Sequence, residues 1–390
     1  MLHFFQHHRG LKDERSIYPL KLMICLGQTQ KGTRMESLLM DAESIPQLTT
    51  GHMRSLMHQI GNTPIKPVYF VIDGKVRAVY LKLEGANPAG SVKDRTAFAL
   101  VQNLENRCLL HQGSIVVEST SGNLGVALAF ICRAKGYAFL AVVDPKTTRE
   151  NLDRMQALGA MIDLIDHPDA NGGYLLSRLK RVQELLALSG NYAWTDQYSN
   201  SANPYIHYAT TGPEIYRQLN GKVDAVFAAV STGGTLAGIG RFFRSVSPHT
   251  SIIGVDARGS VIFGTPPGAR RLTGIGSSRR SSFITRDVYD TYALVGDEEA
   301  FAFCHALYSA TGIKVGGSSG AVLAACAGYL QNHPELERAV CLCADSGENY
   351  SSSIYNDCWL REHGITLSQH HLAPVQDILP ALTRYSPDEF

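Results

Sequence analysis

The sequence predicts an α/β fold in which parallel sheets are flanked by helices. From Gly61 to Trp359, short runs of β-branched and aliphatic residues alternate with longer amphipathic stretches, which is the pattern of strands connected by helices. Turns rich in glycine and serine separate several of these runs from the helices that follow. In open α/β sheets, active sites gather at the carboxyl ends of the strands, so these turns are the first place to look for function.

The individual elements follow from the same pattern. The strand candidates are the runs at 78–83, 114–117, 139–143, 161–165, 225–230, 252–256 and 339–342. The helical candidates are the stretches at 93–106, 124–135, 149–158, 174–188, 212–219, 236–246, 297–311 and 319–331. Residues 1–48 show no sustained period and are predicted to be a flexible extension, and 363–390 are predicted to be a tail.

Composition excludes several classes of protein. The 36 Lys+Arg nearly balance the 35 Asp+Glu, which argues against a general nucleic-acid binder or a protein held on acidic membranes by charge. The longest apolar runs fall far short of the ~18 residues of a membrane span. The eight cysteines lack C-x-x-C spacing, and the N-terminus lacks a secretory apolar region, so we expect reduced thiols, no metal site and a cytoplasmic protein.

The turn at 87–95 places Lys93 just inside a helix, after Gly90 and Ser91. The positive end of the helix dipole lowers the pKa of such a lysine and favours the neutral amine that a Schiff base requires. A lone lysine in this setting is more often an exposed side chain paired with Asp94 or Glu84. The turn therefore indicates a Schiff-base lysine only in combination with the other turns.

Three further turns run from a strand into a helix. The turn at 120–123 offers hydroxyls and N–H groups that suit a carboxylate, although N-capping alone also explains it. The turn at 231–235 has glycines that allow N–H groups to close around a phosphate, and it lacks the Gly-Lys-Ser/Thr ending of a P-loop. The fourth, at 316–321, is again rich in glycine and serine.

In this order, the four turns closely resemble those of the fold type II pyridoxal-phosphate enzymes of the cysteine synthase and cystathionine β-synthase family, across about Met57 to Trp359. The resemblance implies a two-domain fold like that of the tryptophan synthase β chain, with Lys93 as the cofactor lysine. It also places Asn123 beside the cofactor's 3′ oxygen and Ser318 against the pyridine nitrogen. The other implied contacts are Ser231, Thr232, Gly233, Gly234 and Thr235 around the phosphate, and Thr120, Ser121, Gly122, Asn123, Gln197 and Tyr198 around the substrate.

The resemblance implies β-replacement. Lys93 would hold the cofactor as an imine, pass it to an amino acid substrate and remove the α-proton. Loss of the β-substituent would leave an aminoacrylate, to which a second nucleophile adds. A neutral serine at the pyridine nitrogen would limit charge delocalisation into the ring, which favours β-replacement over transamination.

Three segments, at 168–175, 255–264 and 274–279, are similar to the N-(2-amino-2-carboxyethyl)-L-glutamate synthases within this family. Those enzymes use O-phospho-L-serine and the amine of L-glutamate, and they supply 2,3-diaminopropionate for siderophores or peptide antibiotics. A phosphate and a dicarboxylate require planar cationic donors, although most arginines of such segments lie on solvated loops. The candidate donors are Arg258, Arg270, Arg271, Arg279 and Arg280, with Arg279 first.

Several alternatives stay open. A cysteine synthase or O-phosphoserine sulfhydrylase would use sulfide on the same scaffold. A cystathionine β-synthase is less consistent, because the roughly 28 residues after the family match cannot form a regulatory module. A catalytically silent protein that senses an amino acid would have no need of Lys93.

By family resemblance, we expect a small domain at 90–199 and a large domain that combines 49–89 with 200–362. A cofactor cleft would lie between them. The family also implies a homodimer.

Overall fold

The structure, a computed structural model, describes residues 50–72, 74–169 and 173–367. The predicted extension at 1–48 and the part of the predicted tail beyond residue 367 lie outside the described residues. Among the residues that are described, no helix is long and apolar enough to cross a membrane.

Strands and helices alternate along the chain as predicted, and most predicted bounds agree to within two residues. The strands are β1 (Ile65–Ile72), β2 (Lys75–Leu83), β3 (Ile115–Ser119), β4 (Ala138–Val143), β5 (Met161–Leu164), β6 (Tyr192–Trp194), β7 (Ala225–Ala229), β8 (Ser251–Ala257), β9 (Thr291–Val295) and β10 (Ala339–Cys343). The helices are α1 (Thr50–Met57), α2 (Lys93–Asn106), α3 (Asn123–Lys135), α4 (Arg149–Ala157), α5 (Leu175–Leu188), α6 (Ala202–Ile206), α7 (Gly212–Gln218), α8 (Gly234–Val246), α9 (Asp297–Thr311), α10 (Gly317–Asn332) and α11 (Asp357–Glu362).

The larger sheet has six strands in the order β1-β2-β10-β7-β8-β9. Its central strands β10 and β7 are continuous apolar runs with both faces covered, as parallel strands between helices usually are. The expected parallel sheet is interrupted at one edge, where β1 pairs antiparallel with β2. The prediction lacked this strand, and Pro67 within it is tolerated because β1 is an edge strand.

The smaller sheet has four parallel strands in the order β5-β4-β3-β6. Its central strands β3 and β4 are almost entirely buried, whereas β5 lies at an edge and is partly exposed. Helices α3 and α5 pack against this sheet. Strand β6 was not predicted, because its three residues are too short an apolar run to recognise in the sequence.

Close packing of α9 against α10 fixes the start of α10. A Cβ atom on Gly320 would overlap the carbonyl oxygen of Ala300, so only glycine allows the two helices to approach this closely. The first residues of α10, including Ser318, are buried and face the ends of the strands.

Three of the four predicted turns follow or adjoin the carboxyl ends of β3, β7 and β10. Strand β3 belongs to the smaller sheet, and β7 and β10 belong to the larger one. The turns therefore bring residues from both sheets to one place.

Candidate active site

A cavity of about 480 Å³ lies where these strand ends face one another, which is a size typical of small-molecule sites. Three groups of lining residues come from the carboxyl ends of β3, β7 and β10 and the segments that follow them. They are Ser119, Thr120, Ser121, Gly122 and Asn123 at β3, Ser231 at β7, and Ala344 and Asp345 at β10. Below, the segment 120–123 is called the substrate loop and the segment 231–235 the phosphate loop.

Lys93 lines the cavity as the first residue of α2. Backbone hydrogen bonds attach the turn before it to the end of β10: Val92 N donates to Ala344 O at 2.8 Å, and Ser346 N donates to Gly90 O at 3.3 Å. Gly90 has a φ of +87°, a conformation that favours glycine. The lysine therefore projects from a rigid support.

Burial lowers the pKa of Lys93, and the charges of Asp345 and Glu84 act in the opposite direction. The direction agrees with the sequence prediction, although desolvation is the main cause here rather than the helix dipole. A lysine with a lowered pKa has the neutral amine available for reaction with an aldehyde.

A buried charge network holds α2 from the side away from the cavity. The guanidinium of Arg95 donates to both oxygens of Glu84 at 2.7 and 2.8 Å, and to both oxygens of Glu214 at 2.7 Å. Lys82 Nζ donates to Glu214 at 2.8 Å. Burial alone would raise the pKa of Glu214, but the hydrogen bonds and charges of Arg95 and then Lys82 lower it to about 2. Two cations and two anions thus cancel in the interior.

The substrate loop is attached to the segment that follows β6. Gln197 Nε2 donates to Ser119 O at 3.0 Å, and Gln197 N donates to the buried carboxyl of Glu118 at 3.1 Å. The side chain of Thr195 also donates to Glu118, at 2.5 Å. Gln197 and Tyr198 both line the cavity, beside the loop with which they were predicted to act.

Asn123 makes a hydrogen bond that the sequence did not predict. Its Nδ2 donates to Asp345 Oδ2 at 2.7 Å, and the hydroxyl of Tyr350 donates to the same oxygen at 2.6 Å. The other oxygen of Asp345 is buried without a hydrogen-bond partner. Asp345 and Tyr350 both line the cavity.

The phosphate loop leads from β7 into α8, and its conformation depends on glycine. Gly233 has a φ of +88°, and a Cβ atom on Gly234 would overlap the side chain of Asn203. Asn203 Nδ2 in turn donates to Thr232 Oγ1 at 3.1 Å. The loop thus begins a helix whose N-terminal N–H groups favour an anion.

The members of the phosphate loop differ in position. Ser231 lines the cavity, whereas Thr235 Oγ1 lies 3.3 Å from Nε2 of the fully buried His207. Burial, and then the charges of Arg95 and Lys93, lower the pKa of His207 well below 6.5. His207 is therefore a neutral support behind the loop. Ser318 lines the cavity from the start of α10.

Of the five arginines predicted as anion donors, Arg271 lines the cavity. Arg279 lies outside the lining, and its Cζ is 5.1 Å from the ring centroid of Tyr198, which does line it. The other three also lie outside the lining, namely Arg258, Arg270 and Arg280.

Arg178 on α5 also lines the cavity and was not predicted from the sequence. Its side chain is about nine-tenths buried, and neither Nε nor Nη1 has a hydrogen-bond partner. Nε lies 3.3 Å from Asp144 Oδ2, an ion-pair distance. The buried residues of α5 are Leu175, Arg178, Val182 and Leu185. An arginine on the apolar face of an amphipathic helix was the signal that could have identified it.

These residues fit pyridoxal phosphate. Lys93 offers an amine for the aldehyde, the start of α8 offers N–H groups for the phosphate, and Ser318 offers a hydroxyl for the ring nitrogen. Buried polar side-chain atoms without partners also gather here. Among the described residues such atoms occur in Ser119, Arg178, Asp256, Asp345 and Asn349, and all of these except Asp256 line the cavity. Such atoms are costly unless a ligand or water satisfies them.

Comparison with known proteins agrees with this chemistry. The family model described as pyridoxal-phosphate dependent enzyme matches residues 56–345. The N-(2-amino-2-carboxyethyl)-L-glutamate synthase of Ralstonia nicotianae is 41% identical over 307 residues, which cover 79% of this chain and 91% of that protein. The protein of the same name from Cupriavidus metallidurans is 40% identical over 333 residues, covering 84% and 98%.

Solved structures confirm the predicted fold type II architecture. A hydrogen sulfide-producing enzyme from Fusobacterium nucleatum has a TM-score of 0.71 at 30% identity, covering 75% of this chain and 96% of that one. An O-acetylserine dependent cystathionine β-synthase from Helicobacter pylori also has a TM-score of 0.71 at 30% identity, covering 77% and 98%. The chain belongs to the family of pyridoxal-phosphate dependent enzymes, and its cofactor is pyridoxal 5′-phosphate.

Proposed function

We propose that this enzyme is an N-(2-amino-2-carboxyethyl)-L-glutamate synthase, which replaces the phosphate of O-phospho-L-serine with the amine of L-glutamate and releases phosphate. The relatives that carry this name, at 41% and 40% identity over most of both chains, support the proposal. When bound, pyridoxal phosphate supplies the electron withdrawal that weakens the α-hydrogen and β-oxygen bonds of an amino acid.

The observation that carries the proposal is the charge of the cavity. Besides Lys93, its lining presents the cations Lys146, Arg178 and Arg271, which outnumber its two carboxylates, Glu150 and Asp345. The buried guanidinium of Arg178 has an ion pair with Asp144 at 3.3 Å, but neither Nε nor Nη1 makes a hydrogen bond, and buried donors are costly unless a further acceptor satisfies them. A phosphorylated donor and a dicarboxylate nucleophile supply such anions, whereas sulfide makes no use of a guanidinium clamp.

In this proposal Lys93 holds the cofactor and moves the substrate's α-proton. Asn123, Ser318 and the phosphate loop hold the cofactor, and the substrate loop with Gln197 holds the substrate carboxylate. Tyr198 closes the pocket, and Arg279 acts through its stacking on Tyr198. Arg178 is added as the donor to a substrate phosphate or carboxylate.

The test supplies the purified enzyme with O-phospho-L-serine and either L-glutamate or sulfide, and follows phosphate release and product mass. We expect phosphate release with a glutamate adduct. Formation of cysteine, with glutamate ignored, would instead identify an O-phosphoserine sulfhydrylase.

An arginine variant sharpens this test. We expect Arg178→Gln to reduce kcat/KM with the two anionic substrates by roughly 10- to 150-fold, the value of a charge-assisted hydrogen bond of about 1.5–3 kcal/mol. Lys180→Gln is the matched control, because Lys180 is on the same helix with its side chain 80% exposed. Equal activity of the two variants would remove Arg178 from the site.

We also propose two domains, at 90–199 and at 49–89 with 200–362. The four strands of the smaller sheet lie within the first and the six strands of the larger sheet within the second, which supports the division. The substrate loop would then move with the small domain when substrate binds. Identical solution scattering with and without O-phospho-L-serine would count against this closure.

A homodimer is proposed from the family resemblance. Tyr205 and Tyr208 stack at 6.3 Å and are 64% and 39% exposed, so they offer an aromatic surface of the kind enriched at interfaces. Light scattering measures the molar mass of the purified protein. The mass of one chain rather than two would contradict the proposal.

We propose a cytoplasmic enzyme that supplies 2,3-diaminopropionate for a siderophore or peptide antibiotic. The cysteines of the described part of the chain are all unpaired, as expected in a reducing compartment. Cell fractionation tests the location. Unchanged 2,3-diaminopropionate levels in cells without the enzyme would contradict the pathway.

A further inference from the structure

We infer that Asp345 is a positioning residue of the reaction, in which one carboxylate oxygen orients Asn123 and the other receives the amine of Lys93. The inference rests on the roles proposed for Lys93 and Asn123, and it adds a residue that neither the family resemblance nor the four sequence turns indicated.

The first oxygen fixes which way the amide of Asn123 points. A carboxylate only accepts hydrogen bonds, so the partner of Asp345 Oδ2 at 2.7 Å is the amide nitrogen of Asn123 and not its oxygen. Tyr350 donates to the same Oδ2 at 2.6 Å and holds the carboxylate in place. The amide nitrogen has a second N–H, which is left for an acceptor in the cavity such as the 3′ oxygen of the cofactor.

The second oxygen has no donor. Asp345 is 2% exposed, and its Oδ1 is buried without a hydrogen-bond partner. A Cβ atom on Gly316 would overlap this oxygen, so glycine leaves it the room it needs. An unpaired carboxylate oxygen in the interior is costly, and a cationic donor in the same cavity removes that cost.

Lys93 and Asp345 line the same cavity from adjoining backbones, because Ser91 forms a β-bridge with Asp345 and Val92 N donates to Ala344 O at 2.8 Å. The charges that act on Asp345 are those of Lys93 and Arg154. Arg154 already donates at 2.8 Å to Asn349 Oδ1 and at 2.8 Å to Ala89 O. When Lys93 is not joined to the cofactor and carries the proton taken from the substrate, Oδ1 is the acceptor for its N–H.

Four other titratable groups act on or feel the charge of Asp345, and all four are neutral. Burial raises the pKa of the Cys304 thiol to about 12, and it also raises the pKa of Cys343, Tyr350 and Tyr355. Of the groups named so far, the charged ones are the two cations, and the carboxylates of the region are Glu150 in the cavity lining and Glu348, which is 69% exposed. Burial raises the pKa of Asp345 itself, and the hydrogen bonds of Tyr350 and Asn123 and then the two cations oppose this.

The test compares Asp345→Asn with the unaltered enzyme in two measurements that need neither O-phospho-L-serine nor L-glutamate. In the first, the visible absorbance of the bound cofactor is titrated with pH. We expect its midpoint to fall by at least about one pH unit, because the carboxylate that receives the free amine of Lys93 also favours the protonated imine of the same lysine, and loss of a neighbouring opposite charge lowers the pKa of a cation by about that much. In the second, the dissociation constant for pyridoxal phosphate should rise about tenfold, equal to one lost hydrogen bond of ~1.4 kcal/mol.

Two further variants separate the two oxygens. Asn123→Ala should weaken cofactor binding without lowering the midpoint of the titration, because Asp345 and its charge remain and the loss of a donor to the 3′ oxygen makes the imine more basic. Glu348→Gln removes an exposed carboxylate three residues away and should change neither measurement. If Asp345→Asn does not fold, Asp345→Ser removes the same charge in a smaller volume.

A titration midpoint of Asp345→Asn or Asp345→Ser equal to that of the unaltered enzyme would overturn the inference. Failure of the proposed function would look different. A cofactor fixed by borohydride to a lysine other than Lys93 would refute the site assignment, and a different product would refute only the substrates.

Discussion

Arg95→Ala is predicted to destabilise the enzyme more than any exposed arginine does. Arg95 joins Glu84 to Glu214, and both carboxylates are buried. Lys82 is the remaining cation in contact with Glu214. Removing Arg95 turns a neutral cluster into one with a net negative charge in the interior.

The magnitude follows from the contacts. Arg95 donates four hydrogen bonds of 2.7–2.8 Å to the two carboxylates, and their loss leaves Glu84 without a cation in contact. Breaking a buried ion pair by removing one partner costs about 3–5 kcal/mol. With an unfolding entropy of about 2.1 cal/mol/K per residue over roughly 300 residues, this lowers Tm by roughly 5–8 °C.

Thermal unfolding of the enzyme with bound pyridoxal phosphate measures the shift. The matched control is Arg149→Ala, whose guanidinium is 79% exposed and paired at 2.8 Å with Asp153, so that its loss should cost below about 1 kcal/mol. Equal shifts for the two variants would refute the reasoning. Adding Glu84→Gln to Arg95→Ala should recover part of the loss, because Glu84 is then neutral while Lys82 still pairs with Glu214.

Three further predictions concern the cofactor site. Lys93→Ala should abolish turnover and leave no linkage that borohydride can reduce, and fixation of the cofactor at another lysine would contradict the assignment. Gly234→Ala should weaken pyridoxal phosphate binding by at least about tenfold in fluorescence titration, because the added Cβ overlaps Asn203 behind the phosphate loop. Gly190→Ala should leave the affinity unchanged, because nothing lies within 4 Å of a Cβ at that position. The folded-state pKa of His207 lies below 6.5, so the unfolded chain binds a proton first as pH falls. Stability against urea should therefore decrease below pH 6.5. A His207→Gln variant with the same pH dependence would exclude His207 as the cause.

The fold and the cofactor lysine were predictable because their signals are local. A lysine after a Gly-Ser turn, or a run such as Ala339–Cys343, is recognisable within ten residues of sequence. The strand Ile65–Ile72 was also recognisable, since the dipeptide Asp73-Gly74 between two apolar runs is a strong hairpin signal. This strand was not predicted, because a parallel sheet implies strands joined by helices and β1 is joined to β2 by a hairpin.

The polar contacts inside the cavity were not predictable in the same way. Asn123 and Asp345 are 222 residues apart, and no pattern in either segment indicates the other. The position of Arg279 was not predictable either. Its segment resembled the expected family, but resemblance gives no side-chain direction, and the structure stacks Arg279 on Tyr198 outside the lining.

The buried charged residues of this enzyme differ in how completely their polar atoms are hydrogen-bonded. This difference distinguishes residues that stabilise the fold from residues that take part in the reaction. Arg95 directs its donors to Glu84, Glu214 and neighbouring hydroxyls, so the network is complete without a ligand. Arg178 and Asp345 are also buried but keep polar atoms without hydrogen bonds, and both line the cavity. A stable interior tolerates such atoms only where something else satisfies them during function. Arg178 keeps donors without hydrogen bonds despite its ion pair with Asp144, and Asp345 keeps an acceptor, so the cavity is complementary to an anion near Arg178 and to a protonated amine near Asp345, as the proposed reaction requires.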